Sequence, residues 1–129
     1  KIDDLSILKG IEALKGNFEI PEEIKLYIEK GEKLQIKWEG DNVFITYPLK
    51  ASLMRALSLI SLDIKKGERN DLTETLYFDE CGVMLDLSRN GVMRVEAVKR
   101  YADMMALMGL NSLMLYMEDV YEVEVVKCS

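Results

Sequence analysis

Between residues 82 and 119 the chain holds two short apolar runs separated by one amphipathic helical pattern, and each run ends in polar residues. The first reads Gly-Val-Met-Leu-Asp-Leu-Ser-Arg-Asn from Gly82 to Asn90, and the second Leu-Met-Leu-Tyr-Met-Glu-Asp from Leu113 to Asp119. Nearly continuous apolar runs of this length on either side of a helix predict a βαβ unit with parallel strands covered on both faces. Folds built from such units gather their binding groups at the carboxyl ends of the strands. One unit cannot close a barrel or a doubly wound sheet, so this pattern restricts the architecture more than any other part of the sequence.

The residues ahead of it follow a different grammar. Asp3 and Asp4 precede Leu5, Ile7, Leu8, Ile11 and Leu14, which predicts a short helix ending at Gly16. Pro21 at a first helical position, with Ile24, Tyr27 and Ile28 on one side and Gly31 as a stop, predicts a second helix over 21–31. Leu34, Ile36 and Trp38, then Val43, Ile45 and Tyr47, alternate with polar residues around Glu39-Gly40-Asp41-Asn42, the pattern of a β-hairpin ended by Pro48. Leu53, Leu57, Ile60 and Ile64 give a helix from Lys50 to Lys66 stopped by Gly67, and residues 73–78 read as a third strand. The fold class expected is α+β for residues 1–80, a small antiparallel sheet with helices on one face, followed by the βαβ unit in 81–129. In the helix of that unit Val98, Tyr101, Met105 and Met108 are expected to form the inward stripe, and Gly109-Leu110 fits a Schellman ending.

Composition narrows the function classes. The net charge is −6 with Lys and Arg scattered among acids, which argues against nucleic acid or an anionic membrane surface as partner. No apolar stretch approaches the roughly 20 residues needed to span a bilayer. Histidine is absent, which removes the commonest general base and metal ligand. Cys81 and Cys128 are too few for a disulfide scaffold or a zinc site, so a reduced, cytoplasmic protein without metal or cofactor is expected. Seven of the eight methionines lie between 84 and 117, where they read as core packing.

The residues that carry candidate chemistry sit at the two strand ends. Asp86 stands in an otherwise apolar strand, which is costly unless the acid is paired or functional, and Arg89 and Asn90 follow it. Glu118 and Asp119 end the second strand, but adjacent side chains on a strand point to opposite faces and do not form a dyad with each other. Tyr116 and Tyr121 fit stacking surfaces or plain core.

Cys-Gly-Val-Met-Leu-Asp-Leu-Ser-Arg-Asn, the helix ending Met-Ala-Leu-Met-Gly-Leu-Asn and the run Leu-Met-Leu-Tyr-Met-Glu-Asp resemble the opening of the catalytic barrel in glycoside hydrolase family 20, the β-N-acetylhexosaminidases. The likeness covers residues 81 to about 122, and the preceding residues share the layout of the small non-catalytic α+β domain found before that barrel. The resemblance implies the amino-terminal part of a TIM-type (β/α)8 enzyme that releases terminal N-acetylhexosamines from glycans by substrate-assisted retaining hydrolysis, an exception to the two-carboxylate scheme. It also implies that the acid/base Glu and the orienting Asp belong to a later strand, so that no catalytic residue lies in this chain. Asp86, Arg89, Glu118 and Asp119 would then be substrate-side residues. Two features depart from the family: Cys81 stands where many members carry a sugar-holding Arg, and residues 125–129 do not follow the usual continuation. The alternative reading is a non-enzymatic α+β interaction or oligomerisation module. On either reading an apolar strand over 112–124 is expected to join two copies as a homodimer.

Overall fold

Asp4 caps the first helix, α1 (Leu5–Leu14), accepting the Ser6 amide at 2.9 Å and the Ser6 hydroxyl at 2.6 Å. These bonds and the Lys50 ammonium 3.1 Å away hold the Asp4 carboxyl far below its usual range, at about 2. The computed structural model describes residues 4–89 and 91–118. After α1 and a 3₁₀ turn (Lys15–Asn17) come β1 (Lys25–Lys30), β2 (Leu34–Glu39), β3 (Asn42–Tyr47), α2 (Lys50–Lys66), β4 (Leu72–Glu74), β5 (Gly82–Asp86), α3 (Val95–Met108) and β6 (Ser112–Tyr116). The fold is mixed α+β, with three α-helices among the described residues.

The first four strands form one sheet in the order β1-β3-β2-β4. The expected hairpin is present, with Glu39 opposite Asn42 and Gly40 at φ 61° in its two-residue turn. The expected second helix is not. A turn bonds the Ile24 amide to the Pro21 carbonyl, and the chain then extends as β1, parallel to β3 with Leu26 opposite Val43 and Ile28 opposite Ile45. Ile24, Leu26 and Ile28 satisfy a period of two as well as Ile24 and Ile28 satisfy a helical one, and the unpaired edge of β3 decides between them. The sheet is therefore mixed rather than antiparallel. β4 is also shorter than expected: its Glu74 already faces Leu34, the first residue of β2, so residues 75–78 have no β2 partner, and Tyr77 and Phe78 are exposed.

Because β3 lies between β1 and β2, residues 31–33 carry the chain across the end of β3. Two strand spacings amount to about 9.5 Å, so these residues run nearly extended. The Gly31 amide donates to the Tyr47 carbonyl at 3.0 Å, and a Cβ at Gly31 would lie 3.2 Å from Thr46 Cβ. Gly31 ends no helix; it is the close approach of the crossing.

The inner face of the sheet supplies Leu34, Ile36, Val43 and Ile45, all buried, and α2 supplies Leu53, Met54, Ala56, Leu57 and Ile60 to the same cluster. Ile7 and Leu14 of α1 complete it. The far side of α2 receives α3, since a Cβ at Gly109 would lie 3.1 Å from Arg55 Cδ. Both helices end as their glycines suggest: the Glu68 amide reaches the Asp63 carbonyl and the Leu110 amide the Met105 carbonyl, with Gly67 and Gly109 left-handed. Arg55 of α2 pairs bidentately with Glu74 of β4, at 3.0 and 2.7 Å, which holds the Glu74 carboxyl below its usual range and raises the Arg55 guanidinium.

β5 and β6 form a separate parallel pair joined through α3, with Gly82 opposite Ser112 and Asp86 opposite Tyr116. The expectation that both faces of this pair are covered fails among the described residues. Val83, Leu85 and Leu113 are half-buried, whereas Met84 and Met114, opposite each other on the alternate face, remain 60% and 62% exposed. Met104, Met108 and Met117 are exposed too, and Met105 is the one methionine of the described 84–117 stretch that is buried. The methionines thus form surface rather than core, because two strands and one helix leave one side of the pair without a covering layer.

The pair begins where backbones nearly touch. A Cβ on Gly82 would fall 2.0 Å from the Ser112 carbonyl oxygen. Gly82→Ala is expected to destabilise the β5–β6 pairing by roughly 1–3 kcal/mol, as overpacking does. Hydrogen exchange should show lost protection at 82–86 and 112–116 with the amides of β2 and β3 unchanged; unchanged protection in both sheets would contradict the close approach.

Candidate functional site

The carboxyl ends of β5 and β6 lie side by side because the strands are parallel and in register. The ladder continues one step further, with the Leu87 amide donating to the Tyr116 carbonyl at 2.9 Å. The chain then turns on Asp86, whose Oδ1 accepts both the Ser88 amide at 2.9 Å and the Ser88 hydroxyl at 2.7 Å. This turn directs Arg89 back over the strand ends. Its Nε lies 3.5 Å from Asp86 Oδ2, its terminal nitrogen 3.8 Å from Glu118 Oε2, and its guanidinium carbon 5.7 Å from the centre of the Tyr116 ring. The Tyr116 hydroxyl donates to Glu118 Oε2 at 2.9 Å.

Three of the residues singled out in the sequence, Asp86, Arg89 and Glu118, are therefore brought together. Asp119, Asn90 and Tyr121 lie outside the described residues. Cys81 is exposed at the amino end of β5, the end opposite Asp86, where its amide donates to Asn111 Oδ1 at 2.8 Å. Sequence reasoning left Tyr116 undecided and gave Ser88 no part. The sequence signal for Tyr116 is that it stands two residues before Glu118; its place opposite Asp86 comes from the register of the pair.

Hydrogen bonds dominate the electrostatics of this cluster. The Ser88 hydroxyl, then its amide, then the Arg89 charge hold the Asp86 carboxyl below the usual carboxylate range despite partial desolvation. Asp86 is ionised at neutral pH and serves as an acceptor, not as a proton donor. The Tyr116 phenol is raised above its ordinary value, first because its proton is shared with Glu118 and then by desolvation and the Asp86 charge. No group of three or more potential metal ligands is present among the described residues. Elsewhere, an apolar cleft of about 430 Å³ beside β1, walled by Ile11, Phe18, Ile20, Ile24 and Leu57 among others, carries Glu22 as its charged member and offers no comparable set of converging groups.

A depressed carboxyl favours the folded arrangement above its unfolded pKa of roughly 3.9, and that contribution disappears as pH falls through the folded value. Ser88→Ala is expected to move the Asp86 titration upward, toward the ordinary range. The ¹³C shift of the Asp86 carboxyl followed against pH checks this, and a titration unchanged by the substitution would show that Ser88 does not hold the turn.

No family model matches the chain, and no curated protein matches it.

Proposed function

We propose that this chain forms the amino-terminal part of a glycoside hydrolase of the β-N-acetylhexosaminidase type, with residues 1–80 as a non-catalytic domain and 81–129 as the first βαβ segment of a TIM-type barrel. One observation carries the reading: Asp86, Arg89 and Glu118 converge at the carboxyl ends of a parallel strand pair whose other face is left open. An open apolar face on parallel strands is the surface that further strands cover in a barrel. The open mouth of the pair is where such a fold binds substrate.

On this reading the cluster holds the hydroxyls of a terminal N-acetylhexosamine. In the complete enzyme the sugar's acetamido oxygen, oriented by an Asp of a later strand, would attack the anomeric carbon as the glycosidic C–O bond breaks, the leaving oxygen taking its proton from the acid/base Glu, and water would then open the cyclic intermediate. Asp86 is ionised and already occupied by Ser88, so it fits binding rather than protonation of a leaving group. The reducing cytoplasm is the proposed site of action, because there an exposed Cys81 remains a thiol.

Titration with N-acetylglucosamine, followed by ¹H–¹⁵N spectra of the chain, should shift signals at 86–89 and 116–118 and leave those of β1 to β4 in place. Shifts confined elsewhere, or none, would count against a sugar site here. The chain alone should not hydrolyse a chromogenic N-acetylglucosaminide, and turnover abolished by Glu118→Gln would show that the acid/base group has been misassigned.

The exposed methionines favour a second reading, a non-enzymatic module that pairs with a copy of itself through the β6 side. Met84 and Met114 stand opposite each other on one exposed apolar face, and an unpaired strand edge is a template for association. Sedimentation at tens of micromolar should then give a dimer that Met114→Lys dissociates. A monomer would overturn the self-pairing.

A further inference from the structure

Arg89 and Glu118 stand on separate connecting segments, and both side chains are largely exposed, at 71% and 57%. Free side chains of that length occupy many rotamers. The ion pairs at 3.5 and 3.8 Å exceed the 2.7–2.9 Å or so of a charge-assisted hydrogen bond, and exposed pairs of this kind impose little direction. Tyr116 makes the firmer contacts: a hydrogen bond to Glu118 and a ring beneath the Arg89 guanidinium. Its own place is fixed, because it ends β6 in register with Asp86 and its carbonyl receives the Leu87 amide.

The remaining hydrogen-bonding capacity then has a definite pattern. Among the described residues Asp86 Oδ1 accepts from Ser88 while Oδ2 has only the loose Arg89 pair at 3.5 Å, and Glu118 Oε2 accepts from Tyr116 with no hydrogen bond on Oε1. Between them stand the N–H groups of Arg89, a rigid fork of donors. A pair of ligand hydroxyls can donate to Oδ2 and Oε1 and accept from the guanidinium. Among the described residues two carboxylates stand against one guanidinium, an excess negative charge that disfavours an anionic ligand and suits a neutral one.

We propose that Tyr116 is the positioning residue of this site, its hydroxyl orienting Glu118 and its ring supporting Arg89 so that a neutral sugar diol meets Asp86, Arg89 and Glu118 together. The ligand named rests on the glycan-binding reading above; the positioning role rests on the contacts themselves.

The test uses the full chain, N-acetylglucosamine as probe, and two spectroscopic signals that need no ligand. Tyr116→Phe should keep the ring-current shift of the Arg89 Nε–H signal and weaken sugar binding about three- to tenfold, the ordinary net effect of one lost hydrogen bond. Tyr116→Leu should abolish that ring-current shift and weaken binding further. Glu118→Gln should bring the Tyr116 phenol titration down toward its ordinary value. Unchanged amide signals in β1 to β4 would show that each variant is folded. An Arg89 signal unmoved in Tyr116→Leu, or sugar affinity unchanged in both Tyr116 variants, would overturn the positioning role. If both ligand-free signals move as expected while the wild-type chain ignores N-acetylglucosamine, the glycan reading falls and the ordering of Arg89 and Glu118 by Tyr116 stands.

Discussion

The burial of α2 between the sheet and the other two helices is the interaction on which the remaining structure depends. One face of the helix meets the inner face of the sheet, where Leu53, Leu57 and Ile60 share a core with Leu34, Val43 and Ile45. Its flanks receive α1, with Met54 close beneath Gly10, and α3, with Arg55 beneath Gly109. Each large apolar side chain removed from water there contributes about 1.5–3 kcal/mol, and no other element of the chain buries as many. Among the described residues the strand pair that carries the candidate site is joined to this core through α3 and the connection after β4. Its position is therefore inherited from α2.

That division explains what was legible in the sequence. The hairpin, α2, the βαβ order and both glycine-ended helices could be read from local patterns, because there local preference and tertiary contact agree. The segment around Tyr27 could not, since Ile24, Leu26 and Ile28 fit two periodicities and the winner was set by a strand edge that lies some 17 positions later. The end of β4 was lost for a related reason: Tyr77 and Phe78 have strand propensity but no partner once β2 has begun. The methionines misled because an apolar residue declares only that it would be better buried, not that this chain supplies the covering layer.

The candidate site was legible as a set of acids at strand ends, and its organisation was not. Parallel pairing places Asp86 opposite Tyr116, which no spacing along the chain reveals. Ser88 is equally quiet in sequence, yet its hydroxyl and amide both settle on one oxygen of Asp86 and so decide where Arg89 goes. A short polar residue between an acid and an arginine thus does more to shape this surface than either charge does through direct pairing.

The crossing at Gly31 has a consequence for the order in which the chain assembles. β2 and β3 are neighbours through a two-residue turn, and such hairpins close within about 1–10 μs. β1 pairs with β3 across 17 positions, a longer closure than the hairpin's, so its docking is expected to follow the hairpin, adding to the far edge while residues 31–33 pass over the strand end. Residues 4–30 are on this expectation late arrivals on a preformed platform, held by side-chain burial and, in β1, one row of hydrogen bonds. Opening of the native protein should retrace that order, releasing β1 first and keeping the hairpin against α2 until last.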